Sequence, residues 1–399
     1  MSLQQITQDF ERFADGLPHP IEAYILDTYG ISLESVYGKH KIKNPFGKAS
    51  GQLSLNVKQI ERDVEAGLGF VVLKTVIAQD ETGEQSMSAW ATQDTHMTVE
   101  EITGTREDVH GEQGFTVTWK GRGWGGTLES YLQLFDQSLT ISADTLIVPS
   151  CKYNLPKPEE TTWRTSEYRY TTAKLAAVWS RHFQSPMPLE KDFSPTLAGD
   201  GNFSREKENI LRWLSEITSV VRSNAPEVSL GVKLFNAGFA DDFQLEMLST
   251  IDRAAPDLII YGNRLFDPNK IYEEKRGVAY GGPDLSSRNL WALSEARRAG
   301  NTLQISGTGN IVSGQIMFEY LKRGCSSFQM HTLFQLPDRY FTCRGRNKTE
   351  RGMHHLLFHP VTGFLAHILA EKDRLSWPDG ISIGAMAEHY RASYQTKQT

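Results

Sequence analysis

Short apolar segments alternate with amphipathic segments along most of this 399-residue chain, and this alternation is the strongest constraint on its fold. The apolar segments are rich in Val, Ile and Leu, and polar or glycine-rich turns follow them. This pattern is typical of parallel α/β architecture, in which helices cover the strands of one sheet. No sequence period of about 20–50 residues repeats, which argues against solenoids and propellers.

Eight segments have the composition of short buried strands. They lie at 47–51, 69–75, 115–119, 145–150, 230–235, 257–262, 303–307 and 327–332. Helical patterns lie between them at 57–66, 128–135, 243–253, 289–298 and 314–323. Eight strands separated by helices predict a (β/α)8 barrel of the TIM type.

One connection is unusually long for such a barrel. About eighty residues separate Cys151 from Lys233, whereas a plain strand–helix–strand unit takes about thirty. We interpret 152–228 as an insertion after the fourth strand, on the carboxyl-terminal face, where long loops form lids or oligomer contacts. The chain then divides into an N-terminal extension at 1–41, the barrel at 42–334, and a helical C-terminal extension at 335–399 that packs on the barrel.

Composition excludes several classes of function. A net charge of −6 argues against a nucleic acid partner, because phosphate binding needs a basic surface. No apolar run reaches the roughly 18–20 residues of a membrane span, and the N-terminus lacks a signal-peptide pattern. The three cysteines fit a reducing compartment and are too few for a four-thiolate iron–sulfur cluster. We therefore expect a cytoplasmic protein that binds neither membrane nor nucleic acid.

The segment SGTGNIVSG at 306–314 is the best candidate for an anion site. It places glycines between a strand and a helix, where backbone N–H groups and the helix N-terminus favour a phosphate. The segment FQMHTLF at 328–334 follows the next strand and would supply a second wall. Barrels commonly bind phosphate after their seventh and eighth strands. The alternative interpretation is a pair of ordinary strand-to-helix turns.

Two lysines, Lys74 and Lys233, lie near the ends of apolar strands. Burying a lysine there is costly unless it faces a partner or a cleft, so each would hold an anion or stabilise a reduced cofactor. The alternative is a solvated strand-end lysine. Asn263 follows another strand, and its side chain would either hydrogen-bond a ring amide or cap the next turn.

Cys151 ends the strand TLIVPSC. A thiol there acts as a base or nucleophile if its pKa is lowered, but free cysteine is also a common buried filler. His355 and His359 have the i, i+4 spacing of a helical metal site, but no nearby carboxylate completes a ligand set and Pro360 breaks the helix. We expect no metal, and we interpret Cys325 and Cys343 as structural.

Taken in order, these segments resemble the dihydroorotate dehydrogenase family, whose members are FMN-dependent (β/α)8 barrels. KNPFGKASG at 43–51 is similar to the family's NP-x-x-x-ASG, and FVVLKT at 70–75 to its Lys-Thr pair. GVKLF, YGN and YGGPDLSS resemble its second lysine, its Asn and its Gly-Gly loop. SGTGNIVSG and FQMHTLF resemble its two phosphate-binding turns, and PSCKYNLP resembles its Ser-Cys-Pro-Asn segment.

The resemblance implies a set of FMN contacts and a soluble homodimer. The implied contacts are Ala49, Ser50, Gly51, Lys74, Thr75, Lys233, Asn263, Gly281, Gly282, Gly307, Thr308, Gly309, Asn310, His331 and Thr332. It also implies that Cys151 and Lys74 are catalytic, with Cys151 as the proton-transfer base. The implied activity is oxidation or reduction of a CH–CH bond in a small cyclic substrate.

Several positions depart from the family pattern, mostly on the substrate side. Val148 stands where the family has Asn, and the matching substrate loop contains no Asn. Arg264 replaces a small hydroxyl residue, while Asn310 and His331 replace phosphate-loop glycines. The sequence therefore predicts an anionic substrate other than dihydroorotate.

The residues expected to contact that substrate are Asn154, Arg122 and Arg264. Two other functions stay open. One is a flavin-free phosphate-binding barrel, an isomerase or lyase. The other is a non-catalytic flavin-binding sensor.

Overall fold

The computed structural model describes residues 3–91, 96–120, 123–157, 159–193, 203–238, 240–272, 274–345 and 347–395. These residues form an α/β protein with twelve α-helices and eighteen short strands. The helices are α1 Leu3–Arg12, α2 Ile21–Tyr29, α3 Val57–Glu65, α4 Leu128–Thr140, α5 Thr165–Trp179, α6 Phe203–Asn224, α7 Asp241–Ala254, α8 Pro283–Arg298, α9 Gly314–Leu321, α10 Lys348–Phe358, α11 Phe364–Leu375 and α12 Ile383–Gln395. The strands are β1 Ile31–Ser32, β2 Ser35–Tyr37, β3 His40–Ile42, β4 Phe46–Lys48, β5 Phe70–Val72, β6 Val76–Ile77, β7 His96–Thr103, β8 Gln113–Lys120, β9 Leu146–Val148, β10 Ser150–Lys152, β11 Met187–Asp192, β12 Val228–Lys233, β13 Leu258–Tyr261, β14 Leu265–Tyr272, β15 Lys275–Tyr280, β16 Ile305–Thr308, β17 Cys325–Met330 and β18 Ile381–Ser382.

Ten of these strands form one parallel sheet in the order β6-β10-β11-β12-β13-β16-β17-β4-β5-β9. Strands β5 and β6 follow each other closely in the chain, as do β9 and β10. Strand β5 pairs with both β4 and β9, and β6 pairs with β10. The sheet is therefore curled and barrel-like, and the carboxyl ends of its strands meet at one rim.

An apolar layer fills the inside of the curled sheet towards the amino ends of its strands. It contains Phe70, Val72, Val148 and Ile260, together with Tyr37 from the β2–β3 hairpin. That hairpin is held to neighbouring strands by side-chain hydrogen bonds, such as Lys39 N to Ser229 Oγ at 3.0 Å. The hairpin covers the amino-terminal end of the sheet and leaves the opposite rim for polar groups.

The prediction of a sheet strand at 115–119 is wrong. These residues belong to β8, which pairs antiparallel with β7 outside the large sheet. Their alternating pattern does form a strand, but the nearest available partner is the segment just before it in the chain. The next strands of the large sheet after β5 and β6 along the chain are instead β9 and β10, which the sequence pattern predicted as the fourth strand.

The segment 152–228 is not simply an insertion. It contributes β11, which lies between β10 and β12 and pairs with both in parallel, flanked by α5 and α6. This strand is not predicted by the sequence pattern because Glu190, Lys191 and Asp192 interrupt its apolar character. The first five residues of β11 are nevertheless buried, so the charged side chains have partners inside the protein.

Helices from both ends of the chain pack against each other. Arg344 N donates to Ala14 O at 2.7 Å, and His354 Nε2 lies 2.9 Å from Phe10 O. Helix α12 packs on β17 and α8. None of the described helices combines the length and the apolar character needed to cross a membrane.

Candidate active site

A row of hydroxyl groups links three neighbouring segments at the carboxyl rim. Ser50 Oγ lies 2.9 Å from Thr75 Oγ1, which in turn lies 3.0 Å from Ser150 Oγ. Parallel strands bring their carboxyl ends to one rim, so residues distant in sequence meet there. The structure thus brings together two predicted site residues, Ser50 and Thr75, and adds Ser150, which the sequence analysis did not identify.

Lys74 is almost completely buried, with 2% of its surface exposed. Its Nζ donates to Gln52 Oε1 at 3.3 Å. Burial lowers the pKa of Lys74 to about 8; the Asp192 carboxylate opposes this shift and the Lys233 ammonium adds to it. The predicted lysines therefore lie in one electrostatic environment, which they share with a carboxylate from β11.

Lys233 is held by a buried carboxylate. Its Nζ lies 3.4 Å from Glu190 Oε1. The other carboxylate oxygen of Glu190 accepts from Tyr37 Oη at 3.2 Å and from Gln329 Nε2 at 2.8 Å. Neither Glu190 nor Gln329 was identified from the sequence, because isolated polar residues in short strands carry no motif.

A second ion pair adjoins the first. Lys152 Nζ lies 3.5 Å from Asp192 Oδ2, and the Lys152 side chain is buried. Lys74, Lys152 and Lys233 together with Glu190 and Asp192 give this part of the rim a net charge of one positive unit. Such a surface favours an anionic ligand or a group that becomes negative during reaction.

The predicted phosphate turn has a left-handed backbone at two successive residues. Gly309 has φ +104° and Asn310 has φ +52°. A Cβ at Gly309 would lie 2.6 Å from Asn289 Nδ2, so the turn has no room for a side chain there. Asn310 tolerates this conformation and donates to Ser286 Oγ at 2.9 Å. Ser313 caps the following helix α9 by accepting from Ile316 N.

Asn289 on α8 fixes this turn through hydrogen bonds from its side chain to backbone oxygens. Its Nδ2 donates to Thr308 O at 2.9 Å and to Gly262 O at 3.1 Å, and its Oδ1 accepts from Asn236 Nδ2. Tyr320 Oη donates to Thr308 O and to Gly309 O. Thr308 and Gly309, both predicted contacts, therefore have rigidly held backbones, as does the neighbouring Gly307 in β16.

The Asn263 side chain is engaged in its own turn. Its Oδ1 accepts from Arg264 N at 2.9 Å, and its backbone oxygen accepts from Asn236 Nδ2. This arrangement agrees with the turn-capping interpretation.

The segments 49–51 and 330–332 lie side by side. Ala49 N donates to Met330 O at 2.9 Å, and a Cβ at Gly51 would lie 2.7 Å from the His331 ring. Burial lowers the pKa of His331 to about 3, with Lys48, Arg264, Lys74 and Lys233 acting in the same direction. His331 is therefore neutral at pH 7. Thr332 follows it at the start of a half-buried single turn.

The β7–β8 hairpin is tied to the glycine pair before α8. Gly281 N donates to Thr116 Oγ1 at 2.9 Å, and Gly282 has φ +88°. The Arg264 guanidinium donates to Thr116 Oγ1 and to Val117 O. Burial lowers the pKa of Arg264 to about 9, and Glu100 opposes the shift.

Arg264, predicted to contact substrate, thus holds a hairpin in this structure. The predicted contact Arg122 lies outside the described residues.

Cys151 lies in the apolar layer outside the sheet, away from the rim groups. It is fully buried, and strand alternation puts it on the face opposite Ser150 and Lys152. Burial raises the pKa of its thiol strongly, while a hydrogen bond with Tyr153 and the Lys191 charge oppose the shift. The thiol is therefore protonated at neutral pH and separated from Lys74.

Asn154, the other predicted residue of that segment, is buried beside α5. Its Oδ1 accepts from Arg164 N at 3.2 Å and its backbone oxygen accepts from Tyr168 Oη at 2.7 Å. These bonds fix the start of α5. Across the described ranges, no cluster of three His, Cys, Asp or Glu side chains is arranged to hold a metal ion.

Comparison with known proteins adds no relative: no protein-family model and no curated protein sequence matches this chain.

Proposed function

We propose that this protein is an FMN-dependent oxidoreductase similar to dihydroorotate dehydrogenases, acting on a CH–CH bond of a small anionic cyclic substrate. The observation that carries the proposal is the position of two buried lysines, Lys74 and Lys233, at the same rim as the rigid glycine turn at 307–310. We also infer that the sheet closes into an eight-stranded (β/α)8 barrel. The pairing of β5 with β9 and of β6 with β10 supports closure.

The residues present fit FMN. Gly51 and Gly309 have no room for a Cβ, which would meet the His331 ring or Asn289 Nδ2, so the backbone beside the site requires glycine at both positions. The turn at 307–310 with the N-terminus of α9 suits the phosphate. Ser306 Oγ is buried below the rim without a hydrogen-bond partner. FMN supplies hydride chemistry when bound, and the protein supplies orientation and charge.

The charged residues of the chain have separate roles in this proposal. Lys74 and Lys233 place positive charge where negative charge develops. Lys74, whose pKa is about 8, is the best placed of these groups to hold or release a proton near neutral pH. The burial of Cys151 in the outer layer counts against its predicted role as the base.

Two further expectations are kept as part of the proposal: a homodimer and a cytoplasmic location. The main alternative is a flavin-binding sensor without catalysis, and the burial of Cys151 away from the rim favours it. Bleaching of the flavin by a substrate, followed by recovery with an oxidant, would exclude the sensor.

FMN titration of the apoprotein, followed by quenching of flavin fluorescence, tests the proposal. The matched variants are Gly309→Ala and Gly300→Ala. Both glycines have φ near +90° to +104°, but a Cβ at Gly300 would contact nothing within 4 Å. Wild type and Gly300→Ala are expected to bind FMN with similar affinity, and Gly309→Ala at least tenfold more weakly. Equal affinity of all three proteins, or binding of inorganic phosphate without FMN, would contradict the proposal.

A further inference from the structure

Glu190 is a buried carboxylate whose partners come from three separate elements. It has 0% exposure and lies in β11. Lys233 from β12, Gln329 from β17 and Tyr37 from the amino-terminal hairpin all approach it. Each partner is a hydrogen-bond donor or a cation, so Glu190 is surrounded by groups that stabilise its negative form.

Tyr37 is a neutral donor in this arrangement. Burial raises the pKa of Tyr37 well above its ordinary value, and the Glu190 charge raises it further. A buried carboxylate is costly unless it is paired and hydrogen-bonded. The chain meets this requirement with three groups that are far apart in sequence, and they fix the position of the carboxylate beneath the rim.

We propose that Glu190 is a positioning residue. It holds the Lys233 ammonium at the flavin site and sets the net charge of the rim beneath the flavin. This inference rests on the function proposed above. A lysine side chain has many rotamers. The ion pair with Glu190 favours the rotamer that places Lys233 Nζ 3.4 Å from Glu190 Oε1. Removing the carboxylate also increases the net positive charge of the rim from one unit to two.

The extra positive charge has a defined consequence. Reduced FMN carries more negative charge than oxidised FMN when its ring is deprotonated, so it is stabilised by nearby cations. Glu190→Gln is therefore expected to favour reduced over oxidised FMN. A merely structural role would lower stability without changing this ratio.

The chain offers a matched control on the opposite face of the sheet. Lys48 and Asp63 also form a buried lysine–carboxylate pair, with Nζ and Oδ1 2.9 Å apart, and Thr349 donates to the same carboxylate. This pair joins β4 to helices outside the sheet. Asp63→Asn therefore removes a buried carboxylate of the same kind while leaving Lys74, Lys152, Lys233, Glu190 and Asp192 in place.

The test measures FMN content and the reduction potential of bound FMN in wild type, Glu190→Gln and Asp63→Asn. Glu190→Gln is expected to retain FMN and to raise the preference for reduced FMN about tenfold or more, which corresponds to about 30 mV for a two-electron couple. Asp63→Asn is expected to leave that preference within about threefold of wild type. An unchanged preference in Glu190→Gln, or an equal change in both variants, would overturn the inference.

Two outcomes separate this inference from the proposed function. If wild type binds no FMN, the proposed function fails and the inference fails with it. If wild type binds FMN but Glu190→Gln does not fold, Glu190→Asp is measured instead. The shorter carboxylate of Asp cannot reach Lys233 while keeping its other donors. A preference for reduced over oxidised FMN that changes at least threefold therefore supports the inference, and an unchanged preference refutes it.

Discussion

Replacing Lys74 by Met is expected to stabilise the protein without ligand while weakening FMN binding. Lys74 is 2% exposed, and its pKa falls from 10.5 to about 8 on folding. A difference of this size corresponds to about 3 kcal/mol of lost stability at pH 7. The variant removes the hydrogen bond from Lys74 Nζ to Gln52 Oε1, which costs about 1 kcal/mol. The net expected gain is about 2 kcal/mol.

The stability advantage of Lys74→Met depends on pH, because the cost of burying Lys74 exists only while its ammonium is charged. Below pH 8 Lys74 is charged in both the folded and the unfolded protein, so the full cost of burying the charge is present. Between pH 8 and pH 10.5 the folded protein loses the proton first, and the cost decreases. The stability advantage of Lys74→Met should therefore shrink steadily over this interval.

Urea unfolding of the apoproteins at several pH values measures this advantage. The control is Lys58→Met, because Lys58 is exposed on α3 and its charge is not buried on folding. An advantage of Lys74→Met that stays constant from pH 7 to pH 10 would refute the reasoning. So would a variant less stable than wild type at pH 7, because burial would then not be the dominant influence on Lys74.

Three further predictions follow from the placement of particular residues. Cys151→Ala should slow substrate reduction of the flavin by less than tenfold in stopped-flow measurements, because the thiol is buried away from the rim; loss of about 10²–10⁴-fold would restore it as the base. Asp63→Asn should lower the free energy of unfolding by about 3 kcal/mol in urea titrations, because it leaves Lys48 buried without its carboxylate; a change below about 1 kcal/mol would contradict this. Dihydroorotate should bleach the oxidised flavin poorly under anaerobic conditions, because the loop that matches the family's substrate loop contains no Asn; rapid bleaching with micromolar orotate affinity would contradict this.

The parallel α/β character was readable from the sequence because it depends on apolar periodicity. Seven of the predicted strands overlap strands of the large sheet, including those that carry Lys233 and the turn at 307–310. The strand β11 was not readable, since Glu190, Lys191 and Asp192 look like a solvated loop until their partners are known. The error at 115–119 has a similar origin, because periodicity identifies a strand and not its partner.

The site was readable where a local motif defines it and unreadable where distant residues meet. The glycines in the turn at 307–310 indicated a backbone conformation with positive φ, which Gly309 adopts. Asn289 acts through four hydrogen bonds with other segments, and nothing in the sequence around it indicates them. The face of β10 on which Cys151 lies depends on which side of the strand packs against the outer apolar layer, and the short segment around Cys151 does not indicate this by itself.

The central claim is that the rim around Lys74 and Lys233 binds one FMN. The most direct measurement is the visible spectrum of the purified protein, followed by heat release, chromatographic identification and quantitation of the flavin per chain. The proposed function predicts one FMN per chain, with no FAD, and a spectrum that bleaches on reduction. A colourless protein that takes up no FMN on reconstitution, or one that releases FAD, would contradict it.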